Sequence, residues 1–407
     1  MATEHKKPFS VGERHTVTIE KVAHGGHFIA RHEGQVIFVR HAIPGEVVEA
    51  EITSTGASFV RADAVEIVSA SPDRISSPCQ YSHPGGCGGC DFQHISIERQ
   101  RVLKADVIRE QFSRLAKMEI EIEVEKIGEP LHWRTRLGSA TDASGNLGFY
   151  ASRTHSVVPV SDCLIASEAM NFSELAERTW PANSRVEISV SSEGMRTVAI
   201  ADAARGSKPR LTQGQLLSFE DVSGHRLQVS HSSFWQSHES APEALIRAIT
   251  PHVRQGDRVL DLYGGVGLFT AALIDIVGEK GTIDIIESSS SATADARKNF
   301  ATMPNVRIHT GEVVHLLPRI SKSDVIVLDP PREGAGKKVV SQMTSLAPRT
   351  IVYVACDPAA LARDVSYFAQ EGYALTGLRA FDLFPMTHHV ECVATFAPVN
   401  ADKNKVS

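Results

Sequence analysis

The sequence predicts an α/β protein built in three segments: a small N-terminal β-barrel (residues 1–70), a mixed α+β middle (71–233) and a C-terminal parallel sheet flanked by helices (234–400). Three observations predict it. Residues up to about 70 are short alternating or β-branched runs separated by glycine-containing turns. From Phe234 onward, strand-like and helix-like patterns alternate. Between them a Pro/Ser/Gly/Cys-rich stretch leads into one amphipathic helix and several β-rich pieces.

In the first segment "HTVTIEKV", "HFIARHEGQVIFVRH", "GEVVEAEITST" and "FVRADAVEIV" are the strands, with Gly25-Gly26, Glu33-Gly34 and Pro44-Gly45 as turns. Several short strands at this spacing predict a closed barrel of the oligonucleotide-binding kind.

In the second segment "SIERQRVLKADVIREQFSRLAK" places Leu103, Val107, Ile108, Phe112 and Leu115 on one face of a helix. The β-rich pieces that follow, among them "WRTRLGSATD", "NLGFYA", "RVEISVSS" and "RTVAIAD", define no topology by themselves. Ahead of the helix, "CQYSHPGGCGGCDFQH" spaces Cys79, Cys87 and Cys90 as C-x7-C-x2-C, with four glycines that free the backbone to wrap a metal centre. A fourth ligand must come from elsewhere, and Cys163 in "VSDCLIAS" is the candidate. His83 and His94 keep zinc open, although zinc ribbons usually bring two C-x2-C pairs and only one is present. Four thiolates also fit an iron–sulfur cluster.

In the third segment "DRVLDLY", "GTIDIIE", "NVRIHTG", "SDVIVLDPP" and "RTIVYVAC" are strand-like, with helical stretches such as "SSSATADARKNFAT" between them. This alternation means parallel strands covered on both faces. "RVLDLYGGVGLFTAAL" runs strand, glycine loop, helix. Gly265 and Gly267 permit a tight turn and close approach of backbone to a ligand. Glu287, at the end of the second strand, stands where a carboxylate holds ribose hydroxyls. A dinucleotide fingerprint needs a third glycine, and Thr270 stands there. Asp329 ends a buried strand ahead of Pro330-Pro331, a stiff turn that points polar groups into the crevice at the strand ends. Cys356 follows the next strand, and Asp357-Pro358 reads as N-cap and first helical residue. The cysteine is thereby expected beside the positive end of a helix, where a thiolate is favoured. Cys392 reads as buried packing.

The chain has 407 residues, a formal net charge of −6 and six cysteines. No run approaches the roughly 18 apolar residues of a membrane span. "MATEHKKPFSVGERH" holds no apolar leader core. A cytosolic (cytoplasmic) monomer is expected, in which cysteines serve metal or catalysis rather than disulfides. The acidic balance excludes a globally basic nucleic-acid binder, so any RNA-binding surface must be local.

Taken together these motifs resemble the RNA uracil-5-methyltransferases, above all the ribosomal-RNA branch with a TRAM domain and a 4Fe-4S cluster. "GGHFIARHEGQVIFVRHAIPGE" is similar to the TRAM barrel, "CGGCDFQH" to the cluster motif, and "DLYGGVG" to the first S-adenosylmethionine motif. "SFWQSH", "LDPPR", "VACDPAALARD" and "DLFPMTHHVECVATF" are similar to the later family motifs. The resemblance implies a Rossmann-like methyltransferase domain behind the barrel and a central iron–sulfur domain. It implies S-adenosylmethionine held by Gln236, Tyr263, Gly265, Gly267, Glu287 and Asp329, and a 4Fe-4S cluster held by Cys79, Cys87, Cys90 and Cys163. It implies Cys356 as nucleophile, Glu391 as base and Asp329 on the uracil edge, with Arg332 beside it. The implied partner is RNA, 23S ribosomal RNA in the first place. Transfer RNA, or RNA binding without catalysis, are the rival readings. Phe28, Phe38, Arg31 and Arg40 are the barrel residues expected to grip single strand by stacking and charge. The chain departs from the family pattern in a longer first cysteine gap, and at Trp235, Gly264 and Leu268.

Overall fold

The computed structural model describes residues 9–56, 59–203 and 206–399. The first eight residues, part of the stretch read for a leader, lie outside them.

The N-terminal runs close into a five-stranded barrel with neighbours in the order Arg14–Ala23, His27–His32, Gln35–Arg40, Val60–Ser69, Val47–Thr55. All pairings are antiparallel except the one between Gln35–Arg40 and Val60–Ser69, and the closure leaves no free sheet edge. Alternate residues fill the interior: Ile19, Phe28, Ile37, Val39, Val48 and Ile52 are buried, and Phe92 of the cysteine loop packs on Phe28. Two of the expected RNA-gripping residues are therefore used otherwise. Phe28 has no exposed surface, because its position on the strand alternation faces inward. Arg40 is buried and pairs with Asp91 at 3.4 Å. Phe38 is half-buried and Arg31 exposed.

The middle segment forms a six-stranded antiparallel sheet in the order Arg210–Gln213, Arg196–Asp202, Ser184–Val190, Arg136–Thr141, Leu147–Tyr150, Val157–Pro159. The cysteine loop lies against its far hairpin: Cys87 bridges Ala151, and the Gly88 N–H donates to the Tyr150 carbonyl at 3.0 Å. A Cβ on Gly88 would come within 2.7 Å of the Ser152 nitrogen, so only glycine fits this approach.

Three pieces of the 71–233 segment pack with the C-terminal sheet instead, one of them the short strand Val124–Lys126 at its edge. The amphipathic helix Ile97–Gln111, continued by a π-helical turn Phe112–Ala116, buries Ala105, Ile108 and Phe112 with Leu361, Val365 and Phe368 of the helix Pro358–Gln370. Each large side chain buried this way contributes about 1.5–3 kcal/mol. Lys104 on the same helix is fully buried and reaches Asp382 at 2.5 Å and the Phe384 carbonyl at 3.0 Å. The hairpin Leu217–Val222 and His225–Ser230 likewise adds Val222, Leu227 and Val229 to the C-terminal core.

That core surrounds an eight-stranded sheet in the order Val306–Thr310, Thr282–Glu287, Arg258–Leu262, Val325–Leu328, Thr350–Ala355, Glu391–Pro398, Tyr373–Asp382, Val124–Lys126. The first five strands are parallel and Glu391–Pro398 enters antiparallel. This is the doubly wound arrangement the alternating pattern predicts. Among the described residues no helix is long and apolar enough to cross a membrane.

Candidate active site

The carboxyl ends of the parallel strands converge on one crevice, as open α/β sheets place their ligands. The strand Arg258–Leu262 turns there through Tyr263, Gly265 and Gly267, all at positive φ (59°, 57° and 101°). A Cβ on Gly267 would lie 2.2 Å from the Phe300 ring. Glu287 ends the next strand and accepts from the Gly265 N–H at 3.1 Å and the Ser289 N–H at 2.6 Å. Gln236 reaches in from outside the sheet and donates to Asp329 at 3.3 Å. Tyr263, Gly265, Gln236 and Asp329 thus line one small cavity with Trp235 and Phe269. Gly267 and Glu287 shape its backbone from behind. A wider hollow of about 410 Å³ opens on the other side of Tyr263, between Ser288, Glu312 and Val313 on one wall and Lys337 and Lys338 on the other. Glu312, which sequence reading did not single out, is an acid just beyond the strand Val306–Thr310, a placement like that of Glu287.

The second half of the site is set by strand register. Ala355 pairs with Cys392 across the antiparallel Thr350–Ala355 and Glu391–Pro398 strands, so Cys356 and Glu391 leave the sheet side by side. Asp357 caps the following helix, accepting from the Ala360 N–H at 2.8 Å, and Pro358 opens it. The helix end is where the sequence places it, yet the thiol is not acidified. Burial first, then the neighbouring Glu391 and Asp329 carboxyls, push Cys356 up to about 12, against the pull of Arg332. The expectation of a depressed thiol considered only the helix; the two carboxyls come from other strands. Glu391 is 4% exposed and its Oε1 has no partner. Burial and then Asp329 hold its carboxyl well above the usual range, and burial followed by Asp261 does the same to Asp329. A cavity of about 130 Å³ opens over Cys356, between Arg332, His388 and His389 and the barrel turn at His24 and Gly25. His24 itself stands 3.0 Å from Asp357.

Cys79, Cys87, Cys90 and Cys163 line one further cavity, of about 270 Å³. The tertiary structure therefore brings Cys163 to the three sequence neighbours. In this geometry, among the described residues, no three His, Cys, Asp or Glu side chains are placed to hold one metal ion. Of the histidines considered for zinc, His94 is buried against the Ala42 carbonyl at 3.0 Å and His83 faces the Pro84 carbonyl at 2.8 Å, both outside this cavity. The donor set that remains is four sulfurs. Burial raises Cys87, Cys90 and Cys163, the last to about 11. The half-buried Arg134 guanidinium lies on the wall and feels Cys163 and Cys90, and Gln93 Oε1 there has no partner. A cation facing these half-buried thiols favours their anionic form.

Residues 8–65 match the TRAM domain profile and residues 317–397 that of tRNA (Uracil-5-)-methyltransferase. An RNA methyltransferase of Streptomyces avermitilis is 45% identical, with 95% of this chain and 99% of that protein covered. A 23S rRNA (uracil(1939)-C(5))-methyltransferase of Shewanella piezotolerans is 29% identical over 94% of this chain and 95% of its own length. Among solved structures, the Pyrococcus abyssi tRNA (uracil-54, C5)-methyltransferase in complex with S-adenosyl-L-homocysteine has the same fold. It aligns with a TM-score of 0.70 at 20% identity, covering 94% of this chain and 100% of that one.

Proposed function

The chain belongs to the RNA uracil-5-methyltransferase family and is a S-adenosylmethionine-dependent enzyme, and from that premise we propose that it methylates carbon 5 of a uridine in 23S ribosomal RNA through a covalent Cys356–uracil intermediate. The observation that carries the reading is the strand register that sets Cys356 beside Glu391, with Asp329 in reach of both charges.

Carbon 5 of uracil is too weak a nucleophile to take a methyl group unaided. In the proposed course Cys356 passes its proton to the Glu391 carboxylate, which sheds it to solvent, as the sulfur adds to carbon 6 and the ring electrons move onto the carbon 4 oxygen. Asp329 and Glu391 repel double ionisation, so one carboxyl holds a proton that the other lacks. In this proposed course the shared proton sits on Asp329 once the uracil edge is bound there, and Asp329 donates it in a hydrogen bond to the developing enolate oxygen. Carbon 5 then attacks the sulfonium methyl and S-adenosylhomocysteine leaves. Glu391, as carboxylate, removes the carbon 5 proton, and the thiolate is expelled. A base of raised pKa suits that last abstraction. Gln236, Tyr263, Gly265, Gly267, Glu287 and Asp329 hold the donor, and Glu312 joins them across the wider hollow.

The four cysteines are read as ligands of a 4Fe-4S cluster, supported by the all-sulfur donor set and the half-buried Arg134 beside it. Methylation transfers no net electrons, so the group is structural. Ribosomal RNA is favoured by the barrel and cysteine segments and by the likeness to the Shewanella enzyme.

The test is a denaturing gel with labelled RNA containing 5-fluorouridine, whose fluorine cannot leave as a proton does. Wild type is expected to form a denaturation-resistant adduct with 23S ribosomal RNA, and Cys356→Ala none. An adduct in Cys356→Ala overturns the nucleophile, and transfer to transfer RNA alone overturns the substrate.

A further inference from the structure

The cavity over Cys356 and the cavity of the four cysteines share one wall, and that wall is His389. Its imidazole is partly buried and its ring nitrogens meet no hydrogen-bond partner among the described residues, whereas its neighbour His388 is tied down. The His389 ring is held by two rings of its own segment, one of which is tied to the cysteine side. Asp91, the residue after Cys90, accepts from His388 Nδ1 at 2.6 Å. The His388 ring lies tilted against His389 with centroids 4.0 Å apart, and the Phe384 ring meets His389 edge-on at 5.9 Å.

The backbone is held in the same place. The Asp91 and Phe92 N–H groups both donate to the Met386 carbonyl, at 3.1 and 3.0 Å, and Gln100 accepts from the Met386 N–H at 2.9 Å while donating to the Phe92 carbonyl. The segment 386–391, which ends on the carboxyl read as the base, is thus fastened to the loop that carries Cys87 and Cys90. The barrel closes the arrangement from above: a Cβ on Gly26 would come within 2.8 Å of the His388 ring.

Resting on the function proposed above, we propose that His389 is the flat wall against which the extruded uracil is seated for attack by Cys356, and that Asp91 and His388 are positioning residues that tie this wall to the four-cysteine loop. A ring entering the cavity over Cys356 has the thiol and Arg332 among its neighbours, and of the flat rings that line it, His24, Phe92, His388 and His389, only His389 also lines the four-cysteine cavity. Stacking of this kind is worth about 1–3 kcal/mol per base and tolerates exchange of one flat ring for another. This gives a part to a cluster segment that methyl transfer does not need for electrons.

The experiment measures the rate of adduct formation on 23S ribosomal RNA transcribed with 5-fluorouridine, alongside iron content and the calorimetric affinity for S-adenosylhomocysteine. His389→Ala is expected to slow adduct formation by about tenfold with iron and donor affinity unchanged. His389→Phe is expected to recover most of the rate. His388→Ala, which cuts the link to Asp91, is expected to reproduce the loss in part. A wild-type rate in His389→Ala overturns the proposal. So does a His389→Phe as slow as His389→Ala, or a loss of rate that follows loss of iron. Failure of the wild-type protein to form any adduct brings down the proposed function instead, and this inference with it.

Discussion

Cys356 is a thiol that its own surroundings keep protonated. The pKa is raised, so the neutral form dominates far above neutral pH, and the thiolate fraction grows about tenfold for each pH unit below that value. Iodoacetamide labelling of Cys356 in the free protein, followed by the mass of its peptide, should therefore be slow at pH 7 and still rising without a plateau at about pH 10. A plateau near pH 8 means an unperturbed thiol. Glu391 acts after the methyl group is in place, so its loss differs in kind. Glu391→Gln should accumulate a denaturation-resistant complex on ordinary uridine RNA, and the Cys356→Ala, Glu391→Gln double variant should accumulate none. A Glu391→Gln enzyme that turns over normally assigns proton removal to another group. Of these two side chains, the cysteine stands out locally by its helix start, but a small buried thiol fits that stretch as well, and only the other motifs of the chain point to a nucleophile. The glutamate is an acid in a loop-like stretch until register sets it beside residue 356.

At the scale of elements, the donor turn depends on backbone that only glycine adopts cheaply. Gly267 combines φ of 101° with a Cβ position 2.2 Å from Phe300. Gly267→Ala should cost about 1–3 kcal/mol of unfolding free energy in urea titration, with weaker binding of S-adenosylhomocysteine by calorimetry. An alanine variant of wild-type stability and affinity would show that the turn relaxes freely. The glycine turn, the acid that follows it and the Asp-Pro-Pro turn were all readable, because strand, turn and helix are local. The helix Ile97–Gln111 was readable as a helix, since its apolar face repeats every third or fourth residue. Its destination was not. Nothing local in the sequence pairs Lys104 with Asp382, and that buried ion pair fastens a helix from the middle segment to the C-terminal sheet.

In the whole molecule three bodies meet over one cysteine. The barrel contributes His24 and Gly25, the cysteine segment stands behind His389, and the C-terminal sheet carries the reactive side chains. Cys163 closes the four-sulfur cavity from a distant part of the chain, so it tests the cluster without touching the glycine-rich loop. Protein purified without oxygen should be brown and contain iron and sulfide, and Cys163→Ser should lose most of both. One equivalent of zinc with no iron in protein never exposed to oxygen would decide for zinc.

The sequence by itself determined the alternating strands and helices, the barrel and the glycine turn, each through side-chain periodicity or turn chemistry within a few dozen residues. No local pattern marks Cys163 or Glu391, and their roles came forward only through the resemblance to a family. Only the tertiary structure decided which groups share a field. It buried Phe28 and Arg40 in the barrel and its joint, raised the Cys356 thiol where the helix end alone predicted the opposite, and set His389 between two cavities. The physical reason is that desolvation and the Coulomb interaction act through space and depend on what every packed element brings, whereas propensity and periodicity act along the chain.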